Sequence, residues 1–226
     1  MLTRFATSSM QMLESDVVRL CAFSIILAVF VGYETPAEAT ATRNLKSTKG
    51  AHPNIYKVLN TSRRLWLYQR TETNKFTEPK YAPNVMFTET CIFIKKINIS
   101  ETKYHFWEKM DVNGQAISNH YIGMFDLKPP GPPSSMDVSD LSAKNRNPFL
   151  RMTLKYTGQG CSIFEVFRLG KSDKKESNRR PKCEMYIRNH NGRISPPEDC
   201  TNFYETHCRR HVHTPYSSSC LTPTES

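Results

Sequence analysis

CSIFEVFRLGKSDKKESNRRPKCEMYIRNHNGRISPPEDCTNFYETHC, residues 161–208, is the stretch that decides the fold of this chain. Cys161–Arg168 and Cys183–Asn189 are short runs rich in β-branched and aromatic residues, alternating in the manner of strands. Between them KSDKKESNRRPK (171–182) packs eight charges and a proline into twelve residues. Such a segment cannot bury itself against a sheet, which predicts a mobile hairpin connection. Pro196-Pro197 then opens a helix whose Glu198 and Asp199 suit its positive N-terminal end, running to about Arg210. Cys161, Cys183, Cys200 and Cys208 flank these elements. The pattern points to a stapled β-barrel with a helix packed on its wall.

Outward from that stretch, Cys91 and Cys220 bring the count in the last part of the chain to six. The seventh, Cys21, lies in LCAFSIILAVFVG (20–32), an apolar run too short for a membrane span and right for the core of a secretory signal. Arg4 and Arg19 form a thin positive flank, and Ala37-Glu38-Ala39 and Ala39-Thr40-Ala41 both fit a small-residue cleavage pattern. Residues 1–39 therefore read as a signal peptide and 40–226 as a single domain with flexible ends. An even set of cysteines behind a secretory signal implies a disulfide framework in an extracellular protein.

The chain carries a net charge of +10, and removing residues 1–39 takes away two arginines against four carboxylates. The remaining excess concentrates in the 171–182 loop and around Arg209 and Arg210. It is not arranged as a nucleic-acid-binding stripe; a solvated loop explains it, with attraction to acidic cell surfaces or heparin-like polymers as the alternative. No Ser-His-Asp order, nucleotide-binding glycine loop or HExxH motif occurs, so no enzyme and no cofactor are expected. A zinc site from cysteine with His207, His211 and His213 is a poor alternative, because extracellular cysteines are oxidised. Asn60-Thr61-Ser62 and Asn98-Ile99-Ser100 are glycosylation sequons near strand ends, which makes Asn60 and Asn98 candidate glycan acceptors.

The rest of the domain reads as more short strands after one brief helical turn over His52–Leu59. They fall at Arg64–Thr71, Phe87–Ile97, Lys103–Met110, Ala116–Phe125, an edge strand near Met136–Leu141, and Phe149–Tyr156. In the first, Trp66 and Tyr68 take one face, Leu65 and Leu67 the other. In Phe149–Tyr156, Leu150, Met152, Leu154 and Tyr156 oppose Arg151, Thr153 and Lys155, one face buried and one wet. Lys128–Ser135 (KPPGPPSS) is a loop that no strand can cross. The result is an all-β fold, an eight-stranded antiparallel up-and-down barrel, with an interior wide enough for one small ligand.

Cys161-Ser162-Ile163, Cys183-Glu184-Met185-Tyr186, and Cys200, Phe203 and Cys208 resemble the C-terminal half of the tick salivary lipocalins, the histamine-binding proteins and their relatives. The resemblance covers most of residues 50–220. It implies a lipocalin barrel with a short N-terminal helix and a C-terminal helix on the wall. It also implies the disulfides Cys91–Cys220 and Cys161–Cys200, leaving Cys183–Cys208 as a third. Amine-binding members carry an Asp after the first of these cysteines and a Glu two residues before an aromatic one. The second half survives here as Glu184 and Tyr186, while Ser162 stands at the Asp position. Serine can hydrogen-bond but cannot neutralise a cation, which implies weakened amine binding at that site.

If Ser162 and Glu184 face inward, alternation takes Phe164, Val166 and Tyr186 inward too. Tyr104, Phe106, Trp107, Tyr121 and Phe125 are aromatic candidates of unfixed phase, and Trp66 is a candidate ligand contact. The resemblance implies a secreted, monomeric salivary protein that sequesters a small host mediator, a biogenic amine or an eicosanoid or other lipid, in the barrel. The alternative is a vestigial pocket and an outer surface that binds a host protein such as a complement component.

Overall fold

The computed structural model describes residues 53–80, 82–170, 182–189, 194–208 and 211–221. The signal segment 1–39, Cys21, Arg209, Arg210 and the basic loop except Lys182 lie outside the described residues. The elements in chain order are α1 Ile55–Leu59, β1 Leu65–Arg70, β2 Lys75–Glu78, β3 Ala82–Ile99, β4 Lys103–Val112 and β5 Gln115–Phe125. They continue with β6 Ser135–Asp140, β7 Leu150–Gly158, β8 Cys161–Arg168, β9 Lys182–Arg188 and α2 Glu198–His207.

Every strand pairs antiparallel with its neighbours, in the order β1-β9-β8-β7-β6-β5-β4-β3-β2. The sheet closes where β1 meets β3, with Leu65 opposite Ile94 and Trp66 opposite Phe93. Closure leaves no edge among those eight strands, the physical advantage of a barrel over an open sheet. The ninth strand, β2, pairs only with the first part of β3 and forms a hairpin arm at one end. The sequence reading missed β2 and started β3 at Phe87. All four residues of β2 are exposed, so no buried face imprints an alternation on it.

Two apolar clusters hold the molecule together. The interior one is built from alternate residues of the strands, among them Leu65, Leu67, Ile92, Ile94, Tyr104, Phe106, Met152, Leu154, Phe164 and Tyr186. α1 plugs one end of it with Ile55, Val58 and Leu59. Asn54 caps that helix, its Oδ1 accepting from the Lys57 N–H at 3.1 Å. Arg188 ties the plug down by donating to the Val58 carbonyl at 3.1 Å.

The second cluster lies outside the wall, where Trp66, Phe93, Ile163, Met185 and Ile187 meet Tyr204 of α2 and Tyr216 of the tail. Cys161–Cys200 and Cys183–Cys208 bind α2 to β8 and β9, and Cys91–Cys220 binds the tail to β3. These are the three pairings that the resemblance implied. α2 starts after Pro197 with Glu198 and Asp199 in its first turn, as expected, but ends at His207 rather than near Arg210. Disulfide-bonded Cys208 has already left the helix in an extended conformation.

Three of the five register shifts among the described strands bear on the site. In β1 the register shifts between Leu67 and Gln69, which carries Arg70 to the same side as Glu184. In β3 it shifts between Thr90 and Phe93, around Cys91, whose φ of 52° marks a bulge. In β7 it shifts between Leu154 and Tyr156. Tyr156 therefore does not share the buried inner face of Leu150, Met152 and Leu154. It packs on Phe203 outside the barrel, with ring centroids 5.1 Å apart, and its hydroxyl donates to Asp199 Oδ2 at 2.7 Å.

Candidate ligand-binding cavity

At the end opposite α1 the barrel opens into a cavity of about 1070 Å³. Its walls are largely apolar, from Ile92, Ile94, Phe106, Met110, Val138, Phe149 and Met152. Against that background several charged groups project inward, and the register explains each. Glu184 stands opposite Arg70 on β1 and Phe164 on β8. Glu108 stands opposite Ile94 on β3 and Asn119 on β5. Glu89 follows Arg70 inward because the bulge at Cys91 changes the phase of β3 between Glu89 and Ile92.

These groups form a connected polar belt. Tyr186 donates its hydroxyl hydrogen to Glu184 Oε2 at 2.9 Å. Arg70 pairs with Glu89 through a short contact and donates to the Thr73 carbonyl at 3.0 Å. Glu108 is hydrogen-bonded to Asn119 and to Tyr121. Burial pushes the Glu108 carboxyl up to about 7, and the nearby Glu184 charge adds to the shift. Glu184 is also raised, first by burial, against the lowering influence of Arg70 and the Tyr186 hydroxyl. Tyr186 is raised far above the usual phenol range by burial and by both glutamates. At the mouth Glu72 pairs with Lys182 at 3.1 Å and Arg168 at 3.6 Å.

The cavity gathers carboxylates inside a basic protein. Its lining carries five glutamates, Glu72, Glu78, Glu89, Glu108 and Glu184, against Arg70, Lys75, Arg168 and Lys182. The whole chain has an excess of ten positive charges. A cation entering this space relieves two carboxylates whose charge is disfavoured by burial and by each other. The aromatic and aliphatic walls are suited to the rest of an amphipathic molecule.

The sequence-predicted residues fall into three groups. Glu184 and Tyr186 line the cavity together. Ser162 and Phe164 also face the interior, paired with Tyr186 and Glu184, but neither lines the open space. Phe164 meets the Tyr186 ring edge-on at 5.7 Å, and the Ser162 hydroxyl lies 3.4 Å from Thr157 Oγ1. Trp66 does not line the cavity. It is 1% exposed in the outer cluster, against Phe93 and Tyr216, because Leu65 and Leu67 occupy the inner face of β1. Among the aromatic candidates Tyr104, Phe106, Tyr121 and Phe125 belong to the interior. Trp107 stacks on His120 outside it.

Glu108, Asn119 and Glu89 were missed. Glu108 was within reach, since it shares the phase of Tyr104 and Phe106. Arg70, one of three arginines (with Arg151 and Arg188) that the sequence offers as partners for a ligand carboxylate, lines the cavity, but its inward phase was not legible because only the bulge turns it inward. Asn60 and Asn98 are both exposed, at the α1 end of the barrel and away from the mouth.

A family model described as tick histamine binding protein matches residues 44–222. No curated protein sequence matches the chain. Among solved structures, Japanin from Rhipicephalus appendiculatus, bound to cholesterol, is similar at 12% identity and a TM-score of 0.42, covering 69% of this chain and 93% of its own. AM182, in complex with serotonin, is similar at 15% identity and a TM-score of 0.47, covering 74% of this chain and 91% of its own.

Proposed function

The chain belongs to the tick histamine-binding protein family, and from that premise we propose that it is a secreted salivary binding protein whose barrel sequesters a small protonated amine of the host. Glu184 and Glu108 take up the cationic group, Tyr186, Tyr121 and Asn119 orient the two carboxylates, and Phe106 and the aliphatic wall hold the organic part. Phe164 and Ser162 support Tyr186 from below. The observation that carries this reading is the pair of half-buried, mutually repelling carboxylates set among the apolar walls of the cavity. Such an arrangement is costly when empty and is relieved by a cation.

Ser162 at the family's Asp position implied weakened amine binding. Glu108 supplies a second carboxylate from a different strand, so the missing charge does not leave Glu184 alone. The volume supports one further reading. A cavity of about 1070 Å³ exceeds what a single small amine fills, so an extended lipid mediator is the rival occupant.

Native mass spectrometry of the oxidised protein separates the two. Incubated with equimolar histamine, serotonin and a leukotriene at neutral pH, it should retain an amine stoichiometrically. Retention of the leukotriene alone would overturn the amine reading.

A further inference from the structure

A second concave feature lies on the outside of the barrel, on the face of β3, β4 and β5. It is a groove of about 500 Å³ lined by Lys95, Lys96, Ile97, Trp107, Lys109 and Ser118. Half of the lining residues are lysines and none is a carboxylate. The register places Lys95, Trp107 and Lys109 on this outer face, whereas Lys96 stands opposite inward-facing Phe106 and turns toward α1. Lys95 stands opposite Trp107, which stands opposite His120; Lys109 stands opposite Ser118. Adjacent strands are about 4.8 Å apart and alternate residues along a strand about 6.8 Å apart, so Lys95 and Lys109 flank the indole on two sides. Along β4 the same outward phase continues through His105 to Lys103.

The indole is held rather than loose. Its ring stacks on His120 with centroids 4.6 Å apart. Lys96 donates to Asn60 Oδ1 at 2.8 Å, which fixes it at the end of the groove nearest α1. The His105 imidazole is held below its usual range first by burial, then by Lys103 and His120. α2 and the disulfide-bonded tail pack against other strands, β7, β8 and β9 for the helix and β1 and β3 near Cys91 for the tail.

We propose that this groove binds a chain of sulfated polysaccharide, with Lys95 and Lys109 taking up sulfate groups and the Trp107 indole packing against a sugar ring. Lysine ammonium groups are compact point charges that accept sulfate from many directions, and no arginine fork lines the groove to select a planar bidentate anion. An aromatic face beside cations fits the apolar C–H face of a pyranose and its anionic substituents at once. Three disulfides place the working protein in an oxidising, extracellular setting, where sulfated polysaccharides are the prevalent polyanions. The groove is separate from the cavity and does not depend on the amine reading. It would hold the protein at host tissue surfaces while the barrel captures its ligand.

The test is binding to immobilised heparin across a salt series. Native protein should bind at 0.15 M salt, and soluble heparin but not desulfated heparin should displace it. The double variant Lys95→Ser, Lys109→Ser should bind at least tenfold more weakly. Its slope of log affinity against log salt should be shallower by about 0.7–0.9 per lysine engaged, the counterion-release expectation. Trp107→Ala should weaken binding severalfold without changing that slope. Lys95→Gln, a single exposed change, gives a reading should the double variant fold poorly, and amine titration of each variant reports that the barrel is intact. Undiminished heparin binding by both lysine variants would overturn the proposal. So would loss of binding on neutralising Lys171, Lys174 and Lys175 instead, or equal affinity for duplex DNA or phosphatidylserine vesicles through these same lysines.

Discussion

Glu108 is the residue on which the energetics of the cavity turn. Its carboxyl is raised to about 7, so the native state still holds a proton that the unfolded chain has released at lower pH. Linkage then gives a definite sign: the contribution of this group to stability declines as pH rises from about 4.5 to about 7, by up to roughly 3 kcal/mol. Thermal melts of the ligand-free protein across that window should show the decline, and Glu108→Gln should flatten it. An unchanged pH profile in the variant would remove Glu108 from the account. Amine binding should move the opposite way, weakening below about pH 7 as the carboxylate is neutralised. Trp66 marks the contrast between buried and functional. Truncation to Ala should destabilise the protein by about 3–5 kcal/mol, the usual range for a buried Trp, while leaving amine affinity nearly unchanged. A large affinity loss at unchanged stability would put the indole back in the ligand site.

At the scale of elements, the inner faces of β8 and β9 were legible because both strands are regular. Ser162, Phe164, Glu184 and Tyr186 follow one another inward as alternation requires. Where a strand carries a bulge, the same rule fails. Gln69 and Arg70 are out of step with Leu67, and Tyr156 is out of step with Leu154, because one unpaired residue changes the phase of everything after it. The hairpin arm β2 was illegible for a different reason: four exposed residues carry no periodicity. The helix α2 was legible through its proline and acidic start, less so at its end, where a disulfide rather than a capping residue terminates it. The three disulfides make a prediction here. Removing Cys183–Cys208, which spans 25 residues, should cost about 3.5 kcal/mol in the chain-entropy model and fray the end of α2. Calorimetry of the Cys183→Ala, Cys208→Ala pair checks it. A loss below about 1 kcal/mol would show that the outer cluster alone holds the helix.

For the whole molecule, the organising fact is a cluster of carboxylates inside a protein of net positive charge. The exterior is strongly basic, yet the cavity is lined by more carboxylates than cations. Overall charge does not attract a cation to such a protein, so discrimination rests on the cavity itself. The pair Glu184 and Glu108 supplies it, each through charged hydrogen bonds worth about 1.5–3 kcal/mol, or roughly ten- to a hundredfold in affinity. The most direct test is calorimetric titration of histamine and serotonin into the native protein and into Glu108→Gln, Glu184→Gln at pH 7.4. The account predicts stoichiometric amine binding by the native barrel and at least a hundredfold weaker binding by the double variant, whose melting temperature is no lower. Equal amine affinity in the two proteins would contradict it.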